Sequence, residues 1–287
     1  MIPATPELLE PRDVPLGGLR ATTVRRTLPH KRVRTVGAWC FLDHYGPDSQ
    51  EMVVPPHPHI GLQTVSWLFD GEVDHRDALG SLQRVRPGEL NLMTAGHGIT
   101  HAEDSVGDGP LHGVQLWVAL TDAHRERAPG FGHYANLPVD GGVKVLVGEF
   151  AGLVSPAEVY SPLVAAQVSG PVSVPVEPDF EYAVLAVDSP VVVNGMTVPH
   201  GGLMYLGWGL DRLSLGSGRV LVLGGEPLDE QLLMWWNFVA RTHDEIVAAR
   251  EAYQGGGARF GPVIGDSRPF IPAPVMPGIR LKARPNR

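Results

Sequence analysis

Turn signals recur along this chain at strand spacing. Asp70-Gly71, Leu79-Gly80-Ser81, Arg86-Pro87-Gly88-Glu89 and Ala95-Gly96-His97-Gly98 interrupt short apolar runs roughly every 8 to 10 residues. That rhythm leaves little room for helices and fits a β sandwich or barrel. The intervening runs, Gln63 to Phe69 and Glu89 to Met93 among them, have strand length and hold β-branched and aromatic residues. A polar, irregular stretch from Thr121 to Asn136 follows. The rhythm then resumes through Val143 to Val147, Ala183 to Val187, Pro190 to Val193, Gly202 to Leu206 and Arg219 to Leu223, with Asn194-Gly195 as a hairpin signal. The 35 Gly and 27 Pro are spread between these runs, as an all-β chain with many tight turns requires.

These observations divide the 287 residues into an N-terminal domain over 1–133, a C-terminal domain over 134–254 and a Gly/Pro-rich tail over 255–287 that packs across the domains. One long helix is predicted to end the second domain. Leu228 to Gln254 lacks Gly and Pro, spaces Leu232, Trp235, Trp236, Val239, Ile246, Val247 and Ala249 mostly at helical intervals, and is flanked by Pro227 and Gly255-Gly256-Gly257.

The net charge of -8 gives no electrostatic reason to bind nucleic acid or an anionic membrane. The first residues lack a signal pattern, and no uncharged apolar run reaches membrane length. The single cysteine, Cys40, reads as a small buried hydrophobe and favours a reducing compartment, so a cytoplasmic location is expected.

Two short motifs carry the chemistry. His57-Pro58-His59 and His101-Ala102-Glu103 each place two metal-competent side chains at i and i+2, which share one face of an extended strand. Two such strands set against each other would bring three imidazoles and a carboxylate to one point. That donor set suits iron, zinc, copper, nickel or manganese. It would leave an octahedral metal two open positions, unlike a closed structural zinc site. Proline on both sides of His57 favours an extended backbone there, and in that register Gly61 and Gln63 share the histidine face. His97, in the turn before the second motif, is a candidate neighbour of the metal or of a substrate. His44 reads as a structural hydrogen-bonder.

The text around these motifs resembles the pirin family of the cupin superfamily. The matching segments are Phe41-Leu42-Asp43-His44-Tyr45-Gly46-Pro47, His57-Pro58-His59-Ile60-Gly61, Gly71-Glu72-Val73-Asp74-His75-Arg76-Asp77, and Pro87-Gly88-Glu89 leading into Met93 to Glu103. Gly224-Gly225-Glu226-Pro227-Leu228 is the clearest echo in the second half. The resemblance implies an all-β fold of two tandem cupin barrels (double-stranded β-helix, or jelly-roll), here with a C-terminal helix. It implies Fe(II) in the N-terminal barrel on His57, His59, His101 and Glu103, and a metal-free C-terminal barrel. Zn, Ni, Cu and Mn are the alternative metals. This chain departs from the family at Ile60-Gly61-Leu62-Gln63, where Arg-Gly-Phe-Glu is usual, so a neutral Gln63 stands where a carboxylate is common.

The family contains quercetin 2,3-dioxygenases, which open a flavonol ring with dioxygen and release carbon monoxide. It also contains proteins that bind transcriptional or metabolic partners. The resemblance therefore implies an Fe(II)-dependent dioxygenase of the quercetinase type. Glu103 suits the role of base there, because a carboxylate can loosen from a metal while staying within hydrogen-bond reach. Val65, Trp67, Leu92 and Met93 are candidates for an apolar vestibule. The alternative is a metal- or redox-dependent regulator that binds a protein partner without turnover of its own.

Overall fold

The computed structural model describes residues 5–16, 23–49 and 51–285. It is built of β-strands, with one α-helix among the described residues, and its contacts divide it into two compact units. The first barrel comprises the described parts of Val14–Val24, Tyr45–His133 and Asp229–Arg287; the second comprises those of Met1–Asp13, Arg25–His44 and Tyr134–Leu228. Compactness thus divides the chain differently from linear limits at 133 and 254.

In the first barrel, β1 (Val53–His59), β2 (Leu62–Asp70), β3 (Glu72–Asp77), β4 (Leu82–Val85), β5 (Leu90–Thr94), β6 (Ile99–Val106) and β7 (Leu111–Ala119) follow one another. One sheet has the order β1-β6-β3-β4, and in the other β2 lies between β5 and β7. All pairings are antiparallel. β2 is buried from Leu62 to Phe69, so its two faces are both covered and its sequence shows a run where a half-exposed strand would alternate.

Where continuous helix was predicted, the chain forms a hairpin and then a shorter helix. β8 (Leu233–Trp235) pairs with β9 (Phe238–Ala240) across a turn in which Trp236 has φ 53°, and α1 covers His243–Gln254. Thr242 caps α1 by accepting the Glu245 N–H. Aromatic and β-branched residues at 235, 236, 238 and 239 favour strand locally, and Val239 N–H bonds to Ile60 O at 3.1 Å. That anchor overrides the helical spacing. Ile60, Phe238, Ile246, Ala249, Tyr253 and Phe260 then share a buried cluster, so this helix belongs to the first barrel and not to the second.

The tail is also part of the first barrel. Ile271 N–H donates to Pro56 O at 2.7 Å, Ile264 N–H to Asp77 O at 3.1 Å, and Phe260 O accepts from Thr100 N–H at 3.2 Å. These bonds satisfy main-chain groups of β1, β3 and β6 and place the tail along them.

The second barrel has a seven-stranded sheet, in the order Glu7–Leu9, Leu203–Gly207, Glu181–Ala186, Arg219–Gly225, Leu163–Ser169, Val143–Val147 and Val139–Asp140. A four-stranded sheet runs Val172–Pro175, Arg212–Leu215, Val191–Val193 and Met196–Val198. Val145, Val164, Tyr182, Val184 and Leu206 of one sheet and Val193, Val198, Leu213 and Leu215 of the other form its core. Cys40 is fully buried in this unit, and His44 lies 3.4 Å from an Arg25 guanidinium nitrogen.

Candidate metal centre

The two motifs meet in the first barrel through the pairing of β1 with β6. His101 is directly opposite His57, and a register shift follows, so Glu103 faces Val54. The prolines at 55, 56 and 58 lack the N–H that an uninterrupted ladder needs, which accounts for a bulge at this point. His57, His59 and His101 are 7%, 1% and 1% exposed, and each offers a ring nitrogen within 4.8 Å of the others'. Glu103 joins a second group with His101 and His75, also within 4.8 Å of one another. His101 belongs to both groups. The three predicted histidines thus converge, and Glu103 meets them at His101, together with His75.

Hydrogen bonds orient the rings. His57 Nδ1 lies 2.9 Å from Pro55 O, and His59 Nδ1 lies 3.1 Å from Asn237 O, in the turn between β8 and β9. A carbonyl only accepts, so each ring carries its proton on Nδ1 and keeps a bare lone pair on Nε2. His101 Nε2 is buried and has no hydrogen-bond partner in the protein. An orphaned buried acceptor is costly, and a metal ion would complete it. Trp117 packs edge-on against His59 with centroids 5.1 Å apart.

Burial dominates the electrostatics. It lowers His57 to about 4, against a smaller upward pull from the Pro55 carbonyl. Burial, with the neighbouring histidines, holds His59 and His101 well below the ordinary value. All three are therefore neutral near pH 7, the form in which imidazole binds metal. Burial pushes Glu103 upward, against a downward pull from Ser66 Oγ, which donates to Oε1 at 2.9 Å. A cation beside Glu103 would offset the cost of burying its charge. Three neutral nitrogens and a carboxylate, all inward-facing, fit a divalent transition metal.

Gln63 and His97 sit differently from a simple extension of the first motif. Gly61, at φ 69°, ends the extended run, its N–H bonds to Gly96 O at 2.8 Å, and Gln63 falls in the next strand. The expected common face from His57 to Gln63 is therefore broken at Gly61. Gln63 is fully buried and donates to Thr94 Oγ1 at 2.9 Å. The His97 side chain is half-buried, and its main chain bonds to Arg127 O and accepts from Arg259 Nε. Val65, Trp67, Leu92 and Met93 are all buried.

The family model described as Pirin matches residues 20–118, and that of the Pirin C-terminal cupin domain matches residues 164–261. A Pseudomonas aeruginosa protein provisionally named a quercetin 2,3-dioxygenase is 43% identical over 282 residues, covering 93% of this chain and 89% of its own length. The chain belongs to the pirin family. A crystal structure of an Acinetobacter baumannii quercetin 2,3-dioxygenase is 40% identical to this pirin, with a TM-score of 0.90, covering 96% of this chain and 97% of that one. A bacterial pirin from Escherichia coli, solved in complex with nickel(II), shares the cupin fold at 16% identity and a TM-score of 0.64. It covers 78% of this chain and 100% of that one.

Besides His75, four groups around the site of this pirin were not identified from sequence as partners of the motifs. Asn237 acts through its carbonyl, for which no side-chain pattern exists. Ser66 and Trp117 look like ordinary strand residues. Asp77 stands in the matched segment Gly71 to Asp77, two residues after His75, and that spacing was the available signal.

Proposed function

We propose that this pirin is a metal-dependent dioxygenase that acts on a flavonol or a related enediol-like substrate, with His57, His59, His101 and Glu103 holding iron(II). The observation that carries the metal reading is the convergence of three buried neutral imidazoles, two anchored at Nδ1 by carbonyls and the third with an orphaned Nε2. The reaction class is supported by the relatives named quercetin 2,3-dioxygenase. Bound there, the metal would supply a Lewis-acidic centre for the substrate oxygen and a place for dioxygen.

The chain's own groups divide the remaining work. His57 and His59 are held by backbone carbonyls and so keep fixed orientations without depending on other side chains. Glu103 keeps Oε1 under the Ser66 hydroxyl, and its carboxylate retains lone pairs able to take the proton from a substrate hydroxyl. Trp117 and the buried neighbours of β2 and β5 limit water around the rings.

Oxygen uptake and carbon monoxide release by the iron-loaded chain with quercetin, beside a His101→Ala control and metal analysis, test the reading. Uptake that disappears in the variant supports it. Stoichiometric iron without uptake from any flavonol would reject the dioxygenase assignment and leave the partner-binding alternative.

A further inference from the structure

We propose that Asp77 and His75 form a hydrogen-bond relay that decides which nitrogen of His101 is left bare for the metal. The inference rests on His101 being a ligand, but the state it describes exists in the metal-free chain.

In the ladder between β3 and β6, Asp77 lies opposite His101 and His75 lies opposite Glu103. Asp77 and His75 are 0% and 2% exposed, and His75 stacks on Phe131 with centroids 4.5 Å apart at 17°. Asp77 Oδ1 accepts the N–H groups of Leu79 and Ser81, both at 2.9 Å, so this carboxylate cannot turn over without losing both. Its Oδ2 lies 3.2 Å from His75 Nε2. A carboxylate accepts and does not donate, so in the singly protonated imidazole it is Nε2 of His75 that carries the proton. His75 Nδ1 is then an acceptor. It lies 3.4 Å from His101 Nδ1, a long hydrogen bond that is satisfied only if His101 donates. His101 therefore carries its proton on Nδ1, and its Nε2 is the bare, buried nitrogen without a partner.

His57 and His59 reach the same tautomer against backbone carbonyls, whose polarity no substitution reverses. His101 reaches it through two side chains, and that polarity can be reversed. In Asp77→Asn the side-chain oxygen stays beneath the Leu79 and Ser81 N–H groups, which puts the amide NH₂ at the former Oδ2 position. The amide would donate to His75 Nε2, His75 would donate from Nδ1, and His101 Nδ1 would become an acceptor. The proton would then sit on His101 Nε2, where a metal must bind. The variant is isosteric, so its effect is one of polarity and not of packing. Both residues are positioning residues, since they act on the metal through His101.

The first readout is the ¹⁵N imidazole spectrum of the metal-free chain at neutral pH. His101 is expected as the Nδ1–H form in the parent and as Nε2–H in Asp77→Asn. The second is affinity for Co(II) as a probe, expected to fall about 10- to 100-fold in Asp77→Asn with an unchanged far-ultraviolet spectrum. His75→Phe, which keeps a ring on Phe131, is expected to give mixed His101 tautomers and a smaller loss of affinity. It serves as the test should Asp77→Asn not fold. An Nε2–H His101 in the parent, or a parent-like tautomer in either variant, would overturn the relay. A parent that shows the expected tautomer yet takes up no Co(II) would instead reject the metal assignment of the centre.

Discussion

At the scale of single residues, the centre depends on nitrogens that stay uncharged where water would protonate them. His57 is lowered from the ordinary 6.5 to about 4 by burial, and burial also holds His59 and His101 well below the ordinary value. In the metal-free chain the unfolded state therefore binds more protons than the folded one below about pH 6.5. Stability conferred by keeping these rings buried is present above that pH and falls as pH drops towards 4. Glu103, shifted upward, acts in the opposite sense. Urea midpoints of metal-free protein should fall between about pH 7 and pH 5, and metal affinity should fall with them because protons compete for the same lone pairs. Glu103→Gln keeps a Ser66 acceptor but removes the charge and the base. Quercetin-dependent oxygen uptake is expected to drop by about 10²-fold or more, with Fe(II) affinity also weakened; unchanged uptake would show that Glu103 is not the base.

At the scale of elements, Gly61 links the site to the hairpin that supports it. Its positive φ turns the chain out of β1, and a Cβ there would lie 2.1 Å from Val239 O, the carbonyl of a β9 residue. Val239 N–H is bonded to Ile60 O, and Asn237, in the turn that leads into β9, holds His59. Gly61→Ala should cost roughly 1–2 kcal/mol in backbone strain alone, with a further cost from the contact. A lower unfolding midpoint together with weaker metal binding is expected, because the displaced hairpin would carry the Asn237 carbonyl away from His59. Loss of stability with wild-type metal affinity would separate the turn from the site. The hairpin also explains why helical spacing misled over residues 232 to 239. The same apolar positions serve a two-stranded ribbon when both faces are covered, and periodicity does not distinguish the two over so short a run.

At the scale of the whole molecule, the last segment completes the first barrel. Phe260, Val263 and Ala273 are 4%, 5% and 6% exposed, and Arg268 binds Asp104 through two hydrogen bonds of 2.7 and 2.9 Å. Burial of Phe260 and Val263 alone is worth roughly 1.5–3 kcal/mol each, a large share of ordinary domain stability. A chain ending at Gln254 should show a markedly lower thermal midpoint and weaker metal binding, since β1, β3 and β6 would lose the main-chain partners at Pro56, Asp77 and Thr100. A truncated chain with the parent's midpoint would show the tail to be dispensable. Iron added to the intact metal-free protein should raise the midpoint in a concentration-dependent way, as binding to the folded state alone requires.

Strand rhythm, turn positions and the two motifs were legible in the linear chain because each is a local property. Side-chain alternation, the φ demands of Gly and Pro, and i,i+2 ligand pairs operate within a few residues. What orients those side chains was not legible. The carbonyl holding His59 lies 178 residues away at Asn237, and the partner of His101 is a histidine 26 residues earlier, itself held by Asp77. Such partners are chosen by how strands pair and where a hairpin lands. Residue types determined which groups could bind a metal; tertiary structure decided which nitrogen each presents, because a tautomer is set by whatever the other nitrogen touches.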